Sequence, residues 1–170
     1  MKALLIDDHA LFRAGLEGLL ERRGIEIVAS LGSGEDAVRV VRKTAPDVVL
    51  LDLRMPEIGG LDVLKMLTDR KSAIPVVMLT TSAEEQDLAE ALRKGARGYL
   101  MKDMEPDELV MALRDIVAGN TIVAPALTGI LADLVKNGDR PKHKETAQPF
   151  TELTPREREI LGHLAEGQSN

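Results

Sequence analysis

Asp7, Asp8, Asp52, Thr80 and Lys102 each stand at or just past the end of a short apolar run, and each run gives way to helical spacing. Three carboxylates, a hydroxyl and an ammonium suit a divalent cation held beside a phosphoryl group, because hard cations bind carboxylate oxygens and cationic donors bind phosphoryl oxygens. An aspartate at a strand end can itself attack phosphorus, aspartyl phosphates being a known class of covalent intermediate. The obstacle is repulsion between a carboxylate and an anionic donor. Magnesium removes it by neutralising both. On this chemistry Asp52 is the candidate phosphoacceptor, Asp7 and Asp8 hold the cation, Lys102 pairs with the phosphoryl oxygens and Thr80 donates a hydrogen bond to one of them.

Taken singly, each residue has an ordinary role. A lone aspartate after a strand caps a helix, a threonine occupies a turn, and a lysine is solvated surface. His9 reads as a surface or capping residue rather than a metal ligand, since no second histidine lies at ligand spacing, and Tyr99 reads as a strand aromatic. The joint pattern reverses these readings. Five suitable residues at appropriate strand ends converge only if the strands form one parallel sheet, whose carboxyl edge is where ligands bind.

The elements that would position them alternate from the first residue. Ala3 to Ile6, Ile25 to Ala29, Val48 to Leu51, Val76 to Leu79 and Tyr99 to Met101 read as strands, separated by amphipathic helical patterns. Val48 to Leu51 is continuously apolar, as expected of a central strand covered on both faces. Ser82 with Glu85 gives a capping-box pattern for the helix after the fourth strand. Glu105-Pro106-Asp107-Glu108 places acids and a proline in the first turn of a helix running to about Ala118. The expected fold is α/β, a doubly wound parallel sheet of five strands in (βα)5 order with right-handed crossovers.

Beyond Asn120 the alternation is expected to stop. Ala126 to Val135 reads as one further helix, with Leu127, Ile130, Leu131 and Leu134 on one face. Residues 137–149 are polar with Gly138 and Pro141 and read as a flexible linker. Thr154-Pro155-Arg156-Glu157 then signals another helix start. The organisation expected is a domain over 1–120, a linker helix and flexible linker over 121–150, and the opening of a second domain over 151–170.

Composition narrows the classes. The chain has 170 residues and no cysteine, which excludes disulfides, thiolate metal sites and cysteine nucleophiles. Its net charge is −6; after residue 135 six basic residues balance six acidic ones, so the whole excess lies in the first 135 residues. That part offers no basic footprint for nucleic acid. With no targeting signal and no apolar run of membrane-spanning length, a cytoplasmic protein without membrane contact is expected.

Leu4-Leu5-Ile6-Asp7-Asp8-His9, Val49-Leu50-Leu51-Asp52-Leu53-Arg54-Met55-Pro56, Leu79-Thr80-Thr81 and Gly98-Tyr99-Leu100-Met101-Lys102-Asp103 together resemble the receiver domain of bacterial two-component response regulators. The resemblance covers residues 3 to about 120. It implies that Asp52 is the phosphoacceptor, that Asp8 and Asp52 bind Mg2+ directly with Asp7 helping through water, and that the Arg54 main-chain carbonyl completes the protein's share. It also implies a switch in which Thr80 and Tyr99 move inward together. Lys102-Asp103 resembles the NarL/FixJ branch, and Leu153 to Leu161 resembles the opening helix of a LuxR-type helix-turn-helix. Ala118-Gly119, Ala126-Leu127-Thr128 and Lys102 to Pro106 are similar to the nitrate/nitrite regulators of that branch. Gly59-Gly60 departs from the usual Asp or Asn before glycine; because glycine tolerates a left-handed turn, the fold is expected to stand.

The resemblance implies a sensor histidine kinase as phosphoryl donor, a possible homodimer on phosphorylation, and promoter DNA bound through a complete effector domain. The recognition helix would lie after residue 170, so this chain itself is not expected to read DNA. A haloacid-dehalogenase-like phosphatase also uses a strand-end aspartate but needs a second one two residues on, where Arg54 stands. A nucleotide-binding domain lacks its glycine fingerprint, since Gly32-Ser33-Gly34 is incomplete. A receiver-like interaction module that never accepts phosphate would not require the intact set of Asp8, Asp52, Thr80 and Lys102.

Overall fold

The computed structural model describes residues 1–70 and 72–138. The flexible linker expected over 137–149 begins two residues too early, since the last described helix runs to Gly138; the rest of it and the helix start at Thr154 lie outside the described residues. Strands β1 (Lys2–Ile6), β2 (Glu26–Leu31), β3 (Val48–Asp52), β4 (Val76–Thr80), β5 (Gly98–Met101) and β6 (Ile122–Val123) form one sheet in the order β2-β1-β3-β4-β5-β6. All pairings are parallel. Helices α1 (Ala10–Arg22), α2 (Ala37–Thr44), α3 (Gly60–Asp69), α4 (Glu85–Arg93) and α5 (Pro106–Val117) connect them, and α6 (Thr128–Gly138) follows.

Alternation along the strands divides the core in two. Val49 and Leu51 of β3 join Leu4, Ile6, Val76, Met78 and Tyr99 on the face covered by α2, α3, α4 and α6. Val48 and Leu50 turn the other way, joining Leu5, Val77, Leu79 and Leu100 beneath α1 and α5. Burial on both faces explains why β3 reads as an unbroken apolar run, and why its terminal Asp52 can be 3 % exposed.

The doubly wound class is as expected, with one strand more. β6 pairs Ile122 with Gly98 and Val123 with Tyr99. Two residues are too few to show a period, so the chain beyond Asn120 looked finished with strands. A short 3-10 turn at Pro125–Leu127 then leads into α6, whose Leu131 is buried with Leu127, and Ile130 and Leu134 pack against the same core.

Two local readings change. The capping-box pattern predicts Ser82 as the N-cap, but α4 begins two residues later, at Glu85, with Glu84 at the N-cap and no side chain capping it. Ser82 instead donates its hydroxyl to Asp87 at 3.1 Å. In the turn before α3 the left-handed residue is Glu57 (φ 65°), whereas Gly59 has φ −70°. Gly60 is required for a different reason: a Cβ there would lie 2.1 Å from the Asp52 carbonyl oxygen.

Candidate functional site

Strand order reverses between β1 and β3, because β1 sends its chain outward to β2 while β3 leads on to β4. The ends of those two strands therefore face a crevice, and they carry Asp7, Asp8 and Asp52. β5, two strands away, ends beside Lys102, whose long stem reaches back over the edge of β4. The main-chain N–H of Lys102 donates to the Thr80 carbonyl at 2.8 Å, fixing the base of that stem.

The ammonium meets two carboxylates. Lys102 Nζ lies 2.8 Å from Asp7 Oδ2 and 3.3 Å from Asp52 Oδ1, with its side chain only 10 % exposed. Asp7 is further held by His9, whose main-chain N–H donates to Asp7 Oδ1 at 2.8 Å. Burial alone would raise the Asp7 carboxyl, but Lys102 and the His9 hydrogen bonds outweigh it and hold it below its ordinary value. At Asp52 the balance goes the other way. Burial, then the negative charge of Asp7, pushes its carboxyl up to about 6 against the pull of Lys102.

Among the described residues, two buried oxygens of this site, Asp8 Oδ1 and Asp52 Oδ2, make no hydrogen bond, with His9 Nδ1 approaching them only to 3.3 and 3.5 Å. A buried carboxylate oxygen without a donor is costly unless a cation serves it. Asp7, Asp8, His9 and Asp52 can each offer one ligand atom within 4.8 Å of the others. The donor set is mostly carboxylate oxygen, which fits a hard divalent cation such as Mg2+.

His9 is the site member that the sequence did not single out. It occupies the N-cap position of α1, yet its Nδ1 sits 3.0 Å from Asp7 Oδ1, 3.3 Å from Asp8 Oδ1 and 3.5 Å from Asp52 Oδ2. Its N-cap position and exposed side chain agree with the surface or capping reading, and its adjacency to the acidic pair is what brings the ring to the site.

Thr80 and Tyr99 are linked through one residue rather than to each other. Thr80 Oγ1, almost fully buried, accepts from the Ser82 N–H at 2.9 Å, and the Tyr99 hydroxyl donates to the Ser82 carbonyl at 3.4 Å. The Tyr99 ring lies inward and fully buried; burial, then Asp87, raises its hydroxyl pKa. Arg54 directs its guanidinium to a different pair of carboxylates. It donates to Asp87 at 2.6 Å and to Glu84 at 3.4 Å, joining the loop after β3 to the start of α4.

Residues 3–114 match the family model described as the response regulator receiver domain. The chain belongs to this receiver family. It is 38 % identical over 168 residues to the nitrate/nitrite response regulator protein NarL of Escherichia coli K12, spanning 98 % of this chain and 76 % of that protein. The response regulator UvrY of the same organism is 36 % identical over 169 residues, covering 99 % and 75 %. Among solved structures, a LuxR-family two-component response regulator from Aurantimonas sp. SI85-9A1 aligns with a TM-score of 0.73 at 32 % identity, covering 78 % of this chain and 95 % of that one. The fold is thus the flavodoxin-like receiver, and the protein is a two-component response regulator of the NarL and UvrY kind, whose receiver is a phosphorelay module governing a DNA-binding domain. Neither a phosphatase nor a phosphate-independent interaction module is favoured. No helix among the described residues is long and apolar enough to cross a membrane.

Proposed function

We propose that Asp52 is the phosphoacceptor of this receiver and that its phosphorylation requires Mg2+. The observation behind this is the pair of unsatisfied buried oxygens on Asp8 and Asp52 beside a paired Lys102. A carboxylate oxygen of Asp52 attacks the phosphorus of a phosphohistidine on a sensor kinase, forming the aspartyl O–P bond as the P–N bond breaks. Asp8, Asp52 and the Arg54 carbonyl would hold Mg2+, with Asp7 assisting through water. The ion would supply neutralisation of acceptor and donor charge. Lys102 exchanges its contact with Asp7 for the developing charge on the phosphoryl oxygens, and Thr80 turns its hydroxyl toward one of them.

The chain then acts as a switch rather than an enzyme, catalysing only its own phosphorylation and dephosphorylation. Thr80 and Tyr99 form the switch pair, coupled through Ser82. The boundary expected at residue 120 moves outward, because β6 and α6 pack onto the receiver sheet and its core; the flexible linker then runs to about residue 150 and the start of a LuxR-type effector domain occupies 151–170. The complete effector domain binds promoter DNA, the stimulus belongs to the class sensed by the nitrate/nitrite regulators, phosphorylation favours a homodimer, and the protein works in the cytoplasm. Incubation with acetyl phosphate and Mg2+, followed by intact mass and peptide mapping, tests the core of this reading. One phosphoryl group at Asp52, abolished by chelation and by Asp52→Asn, is expected; uptake by Asp52→Asn at the wild-type rate would overturn it.

A further inference from the structure

Besides Asp7, Asp52 and His9 Nδ1, the last at 3.5 Å, Lys102 has a contact that these polar partners do not explain. Its Nζ lies 4.5 Å from the centroid of the Phe12 ring on the first turn of α1. The ammonium thus sits with acids on one side and an aromatic face on another. The chain contains two phenylalanines, one tyrosine and no tryptophan. Phe12 is partly buried and packs against the apolar core that contains Leu16 and Leu20, so its ring is held beside the ammonium from below.

The two kinds of contact do different work. A carboxylate fixes an ammonium but cancels its charge, whereas an aromatic face attracts it through the ring quadrupole and leaves the full charge available. A lysine stem has four flexible bonds and must be held by something. When phosphoryl oxygens compete with Asp7 for the ammonium, a contact that carries no net charge keeps it in place. We propose that Phe12 is a positioning residue for phosphoryl transfer, its ring holding the Lys102 ammonium over Asp52 while Lys102 changes anionic partners. This rests on the reading of Asp52 and Lys102 given above.

The test is a series of ring-fluorinated phenylalanines placed at position 12 of the full chain by codon reassignment. Fluorine withdraws charge from the ring face and leaves the side-chain shape nearly unchanged, so folding is not at issue. Phosphorylation by acetyl phosphate with Mg2+ is timed by intact mass, and the Lys102 ammonium is followed by NMR of the 15N-lysine-labelled protein. The rate should fall stepwise with fluorination, to about one fifth for the most fluorinated ring, as the Lys102 signal moves toward that of a free lysine. Phe12→Leu should lose a similar amount, and Phe12→Trp, which restores a ring face, should recover it. A rate and an NMR signal both indifferent to fluorination would overturn the proposal. Lys102→Ala and Asp52→Asn in the same assay keep the two levels apart: if either takes up phosphate normally, the reading of the site falls first, and if both are impaired a flat fluorine series removes Phe12 alone.

Discussion

Gly60 packs its α-carbon against the Asp52 main chain so closely that a Cβ would stand 2.1 Å from the Asp52 carbonyl oxygen and 2.8 Å from the Leu53 α-carbon. The Gly60 N–H also donates to the Leu53 carbonyl at 2.9 Å. The first turn of α3 is thus seated directly on the backbone that presents the candidate phosphoacceptor. Backbone cannot rotate out of the way as a side chain can.

Gly60→Ala should therefore destabilise the protein by about 1–3 kcal/mol, the usual range for forcing extra atoms into a packed site, and should slow phosphorylation by displacing Asp52. Gly59→Ala is the control, because its Cβ would meet nothing nearer than an Asp62 oxygen at 3.9 Å. Urea titration and acetyl phosphate uptake of both variants check the contrast. Equal stability for the two would show that α3 can shift without cost.

The sequence revealed the strand ends because burial on both faces writes itself as continuous Val and Leu, and a charged residue ending such a run is conspicuous. Asp7, Asp52, Thr80 and Lys102 were legible for that reason. Gly60 was legible only as a turn residue, since the clash it avoids is with a backbone eight positions earlier. The ring beside Lys102 depends on how far the lysine stem reaches from the end of β5 toward the first turn of α1, which no local pattern encodes. β6 was invisible because its two residues owe their strand geometry to pairing with Gly98 and Tyr99 rather than to any propensity of their own. Ser82 matched a capping signature and its Oγ does accept from the Glu84 N–H at 3.3 Å, but its hydroxyl donates to Asp87 and its carbonyl accepts from Tyr99, contacts the signature does not encode.

Asp52 should give stability a distinctive pH dependence in metal-free solution. Its carboxyl is raised in the folded protein to about 6, against about 3.9 in an unfolded chain. A raised folded value favours the protonated form, so its contribution is fully present below about pH 3.9 and is lost as pH rises through about 6. Asp52→Asn removes this loss. The variant should gain stability over the wild type across that window, levelling off near about 2–3 kcal/mol above it. Asp7, held low by Lys102 and His9, works in the opposite sense at more acid pH and is common to both proteins. Chemical denaturation from pH 4 to 8 with a chelator present measures the difference; a constant gap would contradict the raised carboxyl.

Arg54 ties the loop after β3 to α4 through Asp87 and Glu84. Arg54 and Glu84 are largely exposed, whereas Asp87 is 13 % exposed and also accepts from Ser82. Solvent screening keeps the value of such a pair to about 1 kcal/mol or less, so Arg54→Ala should barely move global stability. Its effect should be local. Amide exchange in the first turn of α4 should speed up, and Asp87→Asn should add little to an Arg54→Ala background. A double-mutant cycle read by hydrogen exchange checks this, and additive effects would show that the two side chains act independently.

Phosphorylation should alter α4, β5 and α6 together, because Ser82 serves two partners at once. Its N–H is bound by the Thr80 hydroxyl and its carbonyl by the Tyr99 hydroxyl. A Thr80 side chain drawn toward a phosphoryl group must release the Ser82 N–H, and a shifted Ser82 changes what Tyr99 and Asp87 can hold. Helix α4 passes the change on, since Leu88 and Leu92 lie in the same buried cluster as Tyr99, Leu127 and Leu131. Hydrogen exchange with and without acetyl phosphate and Mg2+ should therefore show altered protection in residues 82–101 and in α6 of the wild type, and none in Asp52→Asn. A response confined to residues around 50–56 would break the relay at Ser82. Replacing Thr80 with valine sharpens the measurement: this variant keeps the volume but cannot bind Ser82, so it should shift protection in α4 before any phosphate is added.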